Sequence, residues 1–375
     1  MRKSAVAILV TGVAASLVLG ACSSSKSSTN TNSSTSTGGG SVSGKVGVIL
    51  PDTTSSTRYT LYDAPLLKKA FDAAGIQSDI QNAQGDTSKF TQIAQNMIGE
   101  GVKILVIDSP DAATGAGVEQ KAKAAGVKVI DYDRVNLGGS ADYYVSFDNE
   151  GVGKLQGQTL VKCLQADNAP KGAGIIEMDG GTDVDNNAVL FAKGYNSVLD
   201  PLYADGTYKK LGEAVVKGWK VENAAPAFTQ ALTAAGGKVD GVVAANDDIA
   251  NAVITVLKSK GLSNVPVTGQ DAGIGGLQHI IKGEQCMTVF KNVKDEADAA
   301  AKLAIALIKG QDPASAGLTL SDFTDPQGNR TLKALLLTPE AITKDNVKDV
   351  ITAGALTAAQ ICQGIESDCT KAGIS

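Results

Sequence analysis

Short apolar segments rich in β-branched residues alternate along the chain with segments whose apolar positions recur at helical spacing. The alternation begins at Lys45 and continues almost to the end of the chain. A short apolar run between turn residues is typical of a strand buried on both faces, as in a parallel sheet. Strands that alternate with helices predict βαβ units with right-handed crossovers. Since the pattern occurs once before about Ser146 and again after it, we predict two similar α/β lobes.

Charged and amide side chains follow several of the predicted strands directly. The segments concerned are 129–134 (VIDYDR), 242–248 (VVAANDD), 265–272 (VPVTGQDA) and 286–291 (CMTVFK). Ligands of open α/β sheets bind in the crevice beyond the carboxyl ends of the strands, so these side chains should gather around a ligand. Because donors and acceptors are mixed, the set suits a neutral polyhydroxylated molecule better than a phosphate or an apolar ligand.

The last part of the chain departs from this rhythm. Residues 295–309 are predicted to form an Ala-rich helix and residues 332–337 one more strand. Thr338 and Pro339 should then start a short helical end. Late elements of this kind can return to the first lobe and then cross to the second again.

The N-terminus has the pattern of an export signal. Arg2 and Lys3 precede an uncharged apolar stretch, residues 5–19, which is shorter than the ~20 residues that a membrane-spanning helix needs. The sequence Leu-Gly-Ala-Cys that ends at Cys22 resembles the lipobox of bacterial lipoproteins, in which the cysteine is acylated after export. An ordinary cleavage site followed by a chance cysteine is the alternative. We predict a lipoprotein signal peptide over residues 1–21 and acylation of Cys22.

A low-complexity segment and a mildly acidic charge complete this picture. Residues 22–44 are almost entirely Ser, Thr, Asn and Gly after the cysteine, a composition typical of a flexible tether. We expect an extracytoplasmic protein held at the cell membrane by its lipid.

The formal net charge is −5, which argues against nucleic acid as a partner. Residues 45–375 exceed one typical domain of ~150 residues, which again favours two lobes.

The remaining cysteines predict disulfides rather than a metal site. Besides Cys22 they are Cys163, Cys286, Cys362 and Cys369. An even number in an oxidising compartment favours two disulfides, although four cysteines allow three pairings. The short separation of Cys362 and Cys369 favours that pair, which leaves Cys163 with Cys286. A C-x-x-C motif is absent and His279 is the only histidine, so we predict no metal site.

Long ungapped stretches match one family in the same order along the chain. They include IAQNMIGEGVKILVI, SFDNEGVGKLQGQTLV and ALLLTPEAITKDNV. From Lys45 to about Val350 the chain resembles the periplasmic sugar-binding proteins of ABC importers with the ribose-binding-protein fold, and most closely their xylose-binding members. The resemblance implies an α/β fold of the type I periplasmic binding protein class. Two Rossmann-like lobes with parallel sheets would be joined by a three-crossing hinge, with the ligand between them.

The resemblance also implies where the lobes begin and end. The N-terminal lobe would comprise residues 45–146 and 291–332, and the C-terminal lobe residues 147–290 and 333–375. The three crossings would lie near residues 146–148, near residues 289–292 and within residues 325–337.

Sugar-contacting residues from both lobes can be carried over from this family. They are Arg58, Tyr59, Asp133, Arg134, Asp185, Asn187, Trp219, Asn246, Asp271 and Lys291. Tyr59 stands where the family has a tryptophan. A carboxylate accepts hydrogen bonds from two neighbouring hydroxyls, and arginine donates through a fixed fork. The apolar face of a pyranose packs on an indole such as that of Trp219, the only tryptophan.

The function that the resemblance implies is sugar binding for transport. The protein would be a monomeric substrate-binding lipoprotein without a cofactor, which binds a monosaccharide such as D-xylose or a related aldopentose and delivers it to an ABC transporter permease. A sugar-sensing module for a membrane receptor would have the same fold. A secreted sugar-acting enzyme is the other alternative, but acid–base catalysis needs paired carboxylates or a histidine in the cleft. Because His279 lies in a predicted helix and Asp133 and Asp271 match binding roles, we predict no catalytic residue.

Overall fold

A seven-stranded sheet, a three-stranded sheet and a two-stranded sheet organise the part of the chain that the structure describes. The structure is a computed structural model, and it describes residues 44–262 and 264–374. The predicted signal peptide, Cys22 and all but the last residue of the tether lie outside the described residues. None of the helices within 44–262 and 264–374 is long and apolar enough to cross a membrane.

The first lobe is built on parallel strands with helices on both faces. Its elements up to the first crossing are β1 (Lys45–Leu50), α1 (Ala64–Ala73), β2 (Gln77–Asn82), α2 (Thr87–Gly99), β3 (Ile104–Ile107), α3 (Ala112–Ala124), β4 (Lys128–Tyr132) and β5 (Tyr143–Phe147). A π-helical turn, Tyr59–Asp63, leads directly into α1. Strand β3 is buried along its whole length, as its continuous apolar sequence predicts for a central strand.

The second lobe repeats the βαβ pattern. Its elements are α4 (Asn149–Ala166), β6 (Ala173–Asp179), α5 (Asn186–Ala204), β7 (Tyr208–Val215), α6 (Ala224–Ala234), β8 (Gly241–Ala244), α7 (Asp247–Ser259), α8 (Ile274–Lys282) and β9 (Thr288–Phe290). Strands β7, β6 and β8 are adjacent and parallel. Residues 265–272, which were predicted as a strand, form only isolated parallel bridges from Val267 to Val242 and from Gln270 to Val289. The segment ends in left-handed backbone at Asp271 and Ala272, which a regular strand does not accommodate.

The last part of the chain contributes helices and strands to both lobes. It comprises α9 (Val293–Ile308), β10 (Ser321–Asp325), β11 (Arg330–Leu337), β12 (Glu340–Ile342), α10 (Val347–Thr352), α11 (Ala358–Cys362) and α12 (Glu366–Lys371). In the first lobe the strand order is β10-β11-β5-β4-β3-β1-β2, with β10 antiparallel to β11. In the second lobe β12 pairs antiparallel with β9, and the tail helices pack against α8.

The expected lobe boundary between residues 332 and 333 differs from the observed one, because it falls inside β11. Residues 333–337 pair in parallel with residues 143–147 of β5. The whole of β11 therefore belongs to the first lobe, and the chain crosses for the third time after Leu337, at Thr338 and Pro339. The first crossing likewise follows Phe147, one residue beyond the expected end of the first segment. Strand pairing is a long-range property that the local sequence does not reveal.

Two disulfides stabilise the second lobe, and both predicted pairs are confirmed. Cys163 in α4 is bonded to Cys286, which precedes β9, with 6.4 Å between their Cα atoms. Cys362 and Cys369 join α11 to α12. The first bond spans 123 residues and the second only 7. Because the loss of unfolded-chain entropy grows with loop length, Cys163–Cys286 should contribute more to stability.

Candidate ligand-binding site

The ten residues predicted to contact ligand meet in one cavity between the two lobes. All ten line it, and Ser55, Ser56, Phe191 and Gln270 complete the wall. The empty space among these side chains is ≈ 310 Å³, part of which is open to solvent.

Three of the cavity residues have backbone in the left-handed region. The φ angles are 58° at Asp133, 58° at Trp219 and 94° at Asp271. Such conformations are costly for residues other than glycine, and they cluster at ligand clamps and active sites. At Asp133 the turn is held by the backbone N–H, which donates to the carbonyl of Val145 at 2.9 Å. The backbone here is shaped to present side chains rather than to continue a strand.

Asp133 is the acceptor around which the cations of the site are arranged. Its Oδ1 lies 3.4 Å from Nη1 of Arg58 and 3.5 Å from Nζ of Lys291. Tyr59 donates its hydroxyl to Oδ2 at 3.0 Å. Burial acts to raise the pKa of Asp133, but Lys291, Arg58 and Arg134 outweigh it and hold the pKa below the usual aspartate value. Asp133 is therefore an ionised acceptor.

Arg58 is held in place by carboxylates behind the cavity. Its Nε and Nη2 donate to Asp63 at 2.9 and 2.7 Å, and Nη2 also donates to Glu296 at 2.5 Å. Tyr132 donates to the same Asp63 at 2.5 Å. Nε and Nη2 of the guanidinium are thus bonded to carboxylates, and Nη1 is the nitrogen that faces the cavity. Asp63 and Glu296 were not predicted from the sequence. Asp63 lies only five residues after Arg58. Glu296 lies in α9, and nothing in the sequence near Arg58 indicates this contact.

Arg134 connects the two lobes across the cavity. Within the first lobe its Nη2 donates to Ser55 Oγ at 3.1 Å and to the hydroxyl of Tyr59 at 3.2 Å. Its Nε lies 3.3 Å from Oδ2 of Asp185, the residue that caps α5 in the second lobe. A second link is direct, because Asn187 Nδ2 donates to the carbonyl of Asp133 at 2.9 Å. The two lobes are in contact around the cavity.

In the second lobe an indole forms part of the wall. Nε1 of Trp219 donates to Oδ2 of Asp185 at 3.0 Å. The ring meets that of Phe191 edge to face, with 6.5 Å between centroids. Gly180 and Gly181 lie against the indole, and a Cβ added at Gly180 would overlap the ring. The position of Trp219 therefore depends on the absence of a side chain at Gly180.

The loop that carries Asp271 is fixed by Asp247, another residue that sequence reasoning missed. The Asp247 carboxylate accepts from Gln285 Nε2 at 2.8 Å, Thr288 Oγ1 at 3.0 Å and the backbone N–H of Gly273 at 2.8 Å. Gly273 follows Asp271 by two residues, so the contact restrains the strained part of the loop. Asn246, one residue earlier, accepts from the backbone N–H of Ile249 and caps α7.

Several polar atoms of the cavity wall make no hydrogen bond in the described part of the chain. They are Arg58 Nη1, Asp133 Oδ1, Arg134 Nε and Gln270 Oε1. The first two face each other at 3.4 Å, and Arg134 Nε faces Asp185 at 3.3 Å, so they form ion pairs without hydrogen bonds, and a ligand that supplies donors and acceptors would complete their hydrogen bonding. The wall carries three cations and three carboxylates. The arrangement suits a neutral polar molecule.

Comparison with known proteins shows which family the chain belongs to. Residues 46–312 match the family described as periplasmic binding protein domain. The chain belongs to this family. It is 38% identical over 290 residues to the D-xylose-binding periplasmic protein of Escherichia coli strain K12, which covers 77% of this chain and 84% of that protein. It is 34% identical over 331 residues to the multiple sugar-binding periplasmic receptor of Rhizobium radiobacter, covering 83% and 90%.

A solved structure agrees with these relatives. The carbohydrate transporter solute binding protein from Chloroflexus aurantiacus, in complex with D-glucose, superposes with a TM-score of 0.75 at 31% identity. The match covers 85% of this chain and 98% of that one. The expected α/β fold of the type I periplasmic binding protein class is confirmed. The relatives are binding proteins and not enzymes, which agrees with the expectation that the chain is not an enzyme.

The dependence of Trp219 on Gly180 gives a testable expectation. Gly180→Ala should displace the indole and weaken ligand binding about tenfold, since overpacking costs about 1–3 kcal/mol. Gly212→Ala is the matched control in the same lobe, because its added Cβ would meet only Ala231 at 3.9 Å. Calorimetric titration of both variants measures the effect. Equal affinities for the two variants would show that the indole does not contact ligand.

Proposed function

We propose that this protein is the extracytoplasmic substrate-binding component of a sugar ABC transporter. It binds a monosaccharide, D-xylose or a related aldopentose, between its lobes as a monomer and delivers it to the permease. The observation that carries the proposal is the convergence of ten predicted sugar-binding residues on one cavity between the lobes. Membership of the periplasmic binding protein family supports the transport role.

The chemistry of the wall supports a sugar as ligand. Asp133 and Arg134 offer a carboxylate and a guanidinium side by side, which suits neighbouring hydroxyls. Trp219 offers an aromatic surface for the apolar face of the ring. The similarity to a D-xylose-binding protein over 77% of the chain favours an aldopentose. The hydroxyl of Tyr59 donates to Asp133 and accepts from Arg134, so it is already engaged within the protein.

Ligand entry requires the lobes to separate. Nine of the ten predicted residues are buried, and Arg134 with Asp185 and Asn187 with Asp133 join the lobes beside the cavity. Three chain crossings form the hinge, after β5, after β9 and after β11. Hinge motion of two lobes around a ligand is a known mode of closure in binding proteins. A transporter can then distinguish the closed, loaded form from the open one.

A panel of sugars tests the proposal. D-Xylose at a hundredfold excess over its Kd should stabilise the native state by about 2.7 kcal/mol and raise the melting temperature. The measurement is a thermal-shift screen of common pentoses and hexoses. A response confined to hexoses would retain a monosaccharide binder and reject the aldopentose. No response to any sugar would refute sugar binding.

The proposal includes anchoring through acylated Cys22. Cys22→Ala should move the protein from the membrane fraction to the soluble fraction, because the lipid supplies the attachment. Ser23→Ala is the matched control and should remain with the membranes. Cell fractionation followed by immunoblotting measures the distribution. A Cys22→Ala protein that stays with membranes as firmly as wild type would show that the lipobox interpretation is wrong.

A sensory role is a second candidate. It is favoured by the similarity to a protein from Rhizobium radiobacter that is named as a receptor. The two roles separate in cells that lack the cognate permease. Transport predicts loss of sugar uptake, whereas sensing predicts that the response to the sugar persists.

A further inference from the structure

A second cavity adjoins the proposed sugar site and shares part of its wall. Ser56, Arg58, Asp271 and Lys291 line both cavities. The second cavity has an empty space of ≈ 950 Å³, part of which is open to solvent. It is formed by both lobes and by the hinge segment after β9, so it is a groove along the edge of the closed cleft.

The wall of this groove differs in chemistry from that of the sugar cavity. From the first lobe it includes Leu61, Tyr62, Pro65 and Leu66, and from the hinge and the second lobe Ala272, Phe290, Val293, Ala355 and Leu356. Leu61 is 57% exposed, the highest value among the large apolar residues that the structure describes as exposed. The apolar part of the groove wall therefore adjoins the polar wall of the sugar cavity.

Asp271 lies at the junction of the two cavities. Its side chain is 19% exposed, whereas those of Lys291 and Asp133 are each 5% exposed. Solvent therefore reaches Asp271 while its neighbours in the sugar cavity are covered. A sugar oxygen held by Asp271 would therefore lie beside a residue that also lines the groove.

We propose that the protein also binds glycosides, with the sugar in the polar cavity and an apolar aryl or alkyl aglycone in the groove against Leu61. This inference rests on the proposed function, since it uses the same sugar cavity. The aglycone would bury apolar surface that free sugar leaves exposed, which is the driving force for a gain in affinity. Both lobes line the groove, so an aglycone there would contact the two lobes in their closed arrangement.

The test compares D-xylose with both anomers of methyl and 4-nitrophenyl D-xylopyranoside by calorimetric titration of the purified protein. One anomer of the 4-nitrophenyl glycoside should bind about tenfold more tightly than its methyl counterpart, because the ring buries apolar area. Leu61→Ser should remove that gain and leave the affinity for D-xylose unchanged. Val189→Ser, at another exposed apolar residue (46% exposed) that lines neither cavity, should change neither affinity.

The outcomes separate this inference from the proposed function. D-Xylose binding without binding of any aryl glycoside overturns the glycoside inference and leaves sugar binding intact. Equal losses of both ligands in Leu61→Ser, or no loss of either, also overturn it. If neither D-xylose nor any glycoside binds, both proposals are wrong.

Discussion

Replacing Asp133 with alanine is expected to abolish sugar binding and to lower the free energy of unfolding by about 3–5 kcal/mol, the usual cost of removing one partner of a buried ion pair. Asp133 is 3% exposed, and Arg58 and Lys291 lie within 3.5 Å of its carboxylate. Without Asp133, the buried cations Arg58 and Lys291 would lie close together with one carboxylate fewer to offset their mutual repulsion. Urea unfolding of the ligand-free protein and calorimetry with sugar measure the two effects.

A matched control is Asp298→Ala. Asp298 also pairs with a lysine, Lys294 at 2.6 Å, but both side chains are exposed. Exposed pairs contribute about 0–1 kcal/mol, so this variant should bind sugar normally and unfold almost as wild type does. An Asp133→Ala protein that behaves like Asp298→Ala would remove Asp133 from the centre of the site.

The stabilising effect of Asp133 should depend on pH in one direction. Its folded-state pKa is lowered, so its contribution is complete above the unfolded value of about 3.9 and is lost as the pH falls below it. The difference in unfolding free energy between wild type and Asp133→Ala should be constant above about pH 5 and should shrink in more acidic solution. A difference that grew with acidity would contradict the ionised state of Asp133.

Asp271→Ala should weaken sugar binding on the order of a hundredfold, since it leaves sugar hydroxyls without a charged acceptor inside the closed cavity. Asp271 lies 3.8 Å from Lys291 and accepts a hydrogen bond from Gln270. The ligand-free protein should lose little stability, because this side chain is 19% exposed. Calorimetric titration and thermal unfolding of the same variant separate the two effects.

Asp271→Asn is the matched variant, because the asparagine side chain has nearly the same shape as that of aspartate. It retains one acceptor oxygen and should show an affinity between those of wild type and Asp271→Ala. An alanine variant that binds sugar as tightly as wild type would place the ligand elsewhere in the cavity or outside it.

Much of the site could be predicted because strand ends converge in parallel sheets. Asp133 and Arg134 follow β4 directly, and Lys291 follows β9, so their positions depend on local sequence and on a general property of the fold. Trp219 is different, since it follows β7 in an irregular turn and was assigned by family resemblance. Most of the strands and helices were found from periodicity, which local side-chain patterns determine, whereas residues 265–272 form only isolated bridges.

One of the residues that were missed acts over a long distance in sequence. Glu296 reaches Arg58 across 238 positions, and no pattern near either residue reveals the contact. The β10–β11 hairpin joins the first sheet beside β5 through backbone hydrogen bonds, which any apolar sequence can make, so the lobe boundary was misplaced. Helix α5 continues to Ala204 with Pro201 inside it, although proline normally ends or kinks a helix.

Calorimetric titration of the purified protein with D-xylose, followed by mass spectrometry of the recovered sugar, tests the central claim most directly. We expect saturable binding of one sugar per chain and recovery of the sugar unchanged. The absence of binding heat with D-xylose and with every other pentose and hexose would contradict the claim that the cavity is a sugar site. Recovery of chemically altered sugar would contradict the claim that the protein is a binding protein.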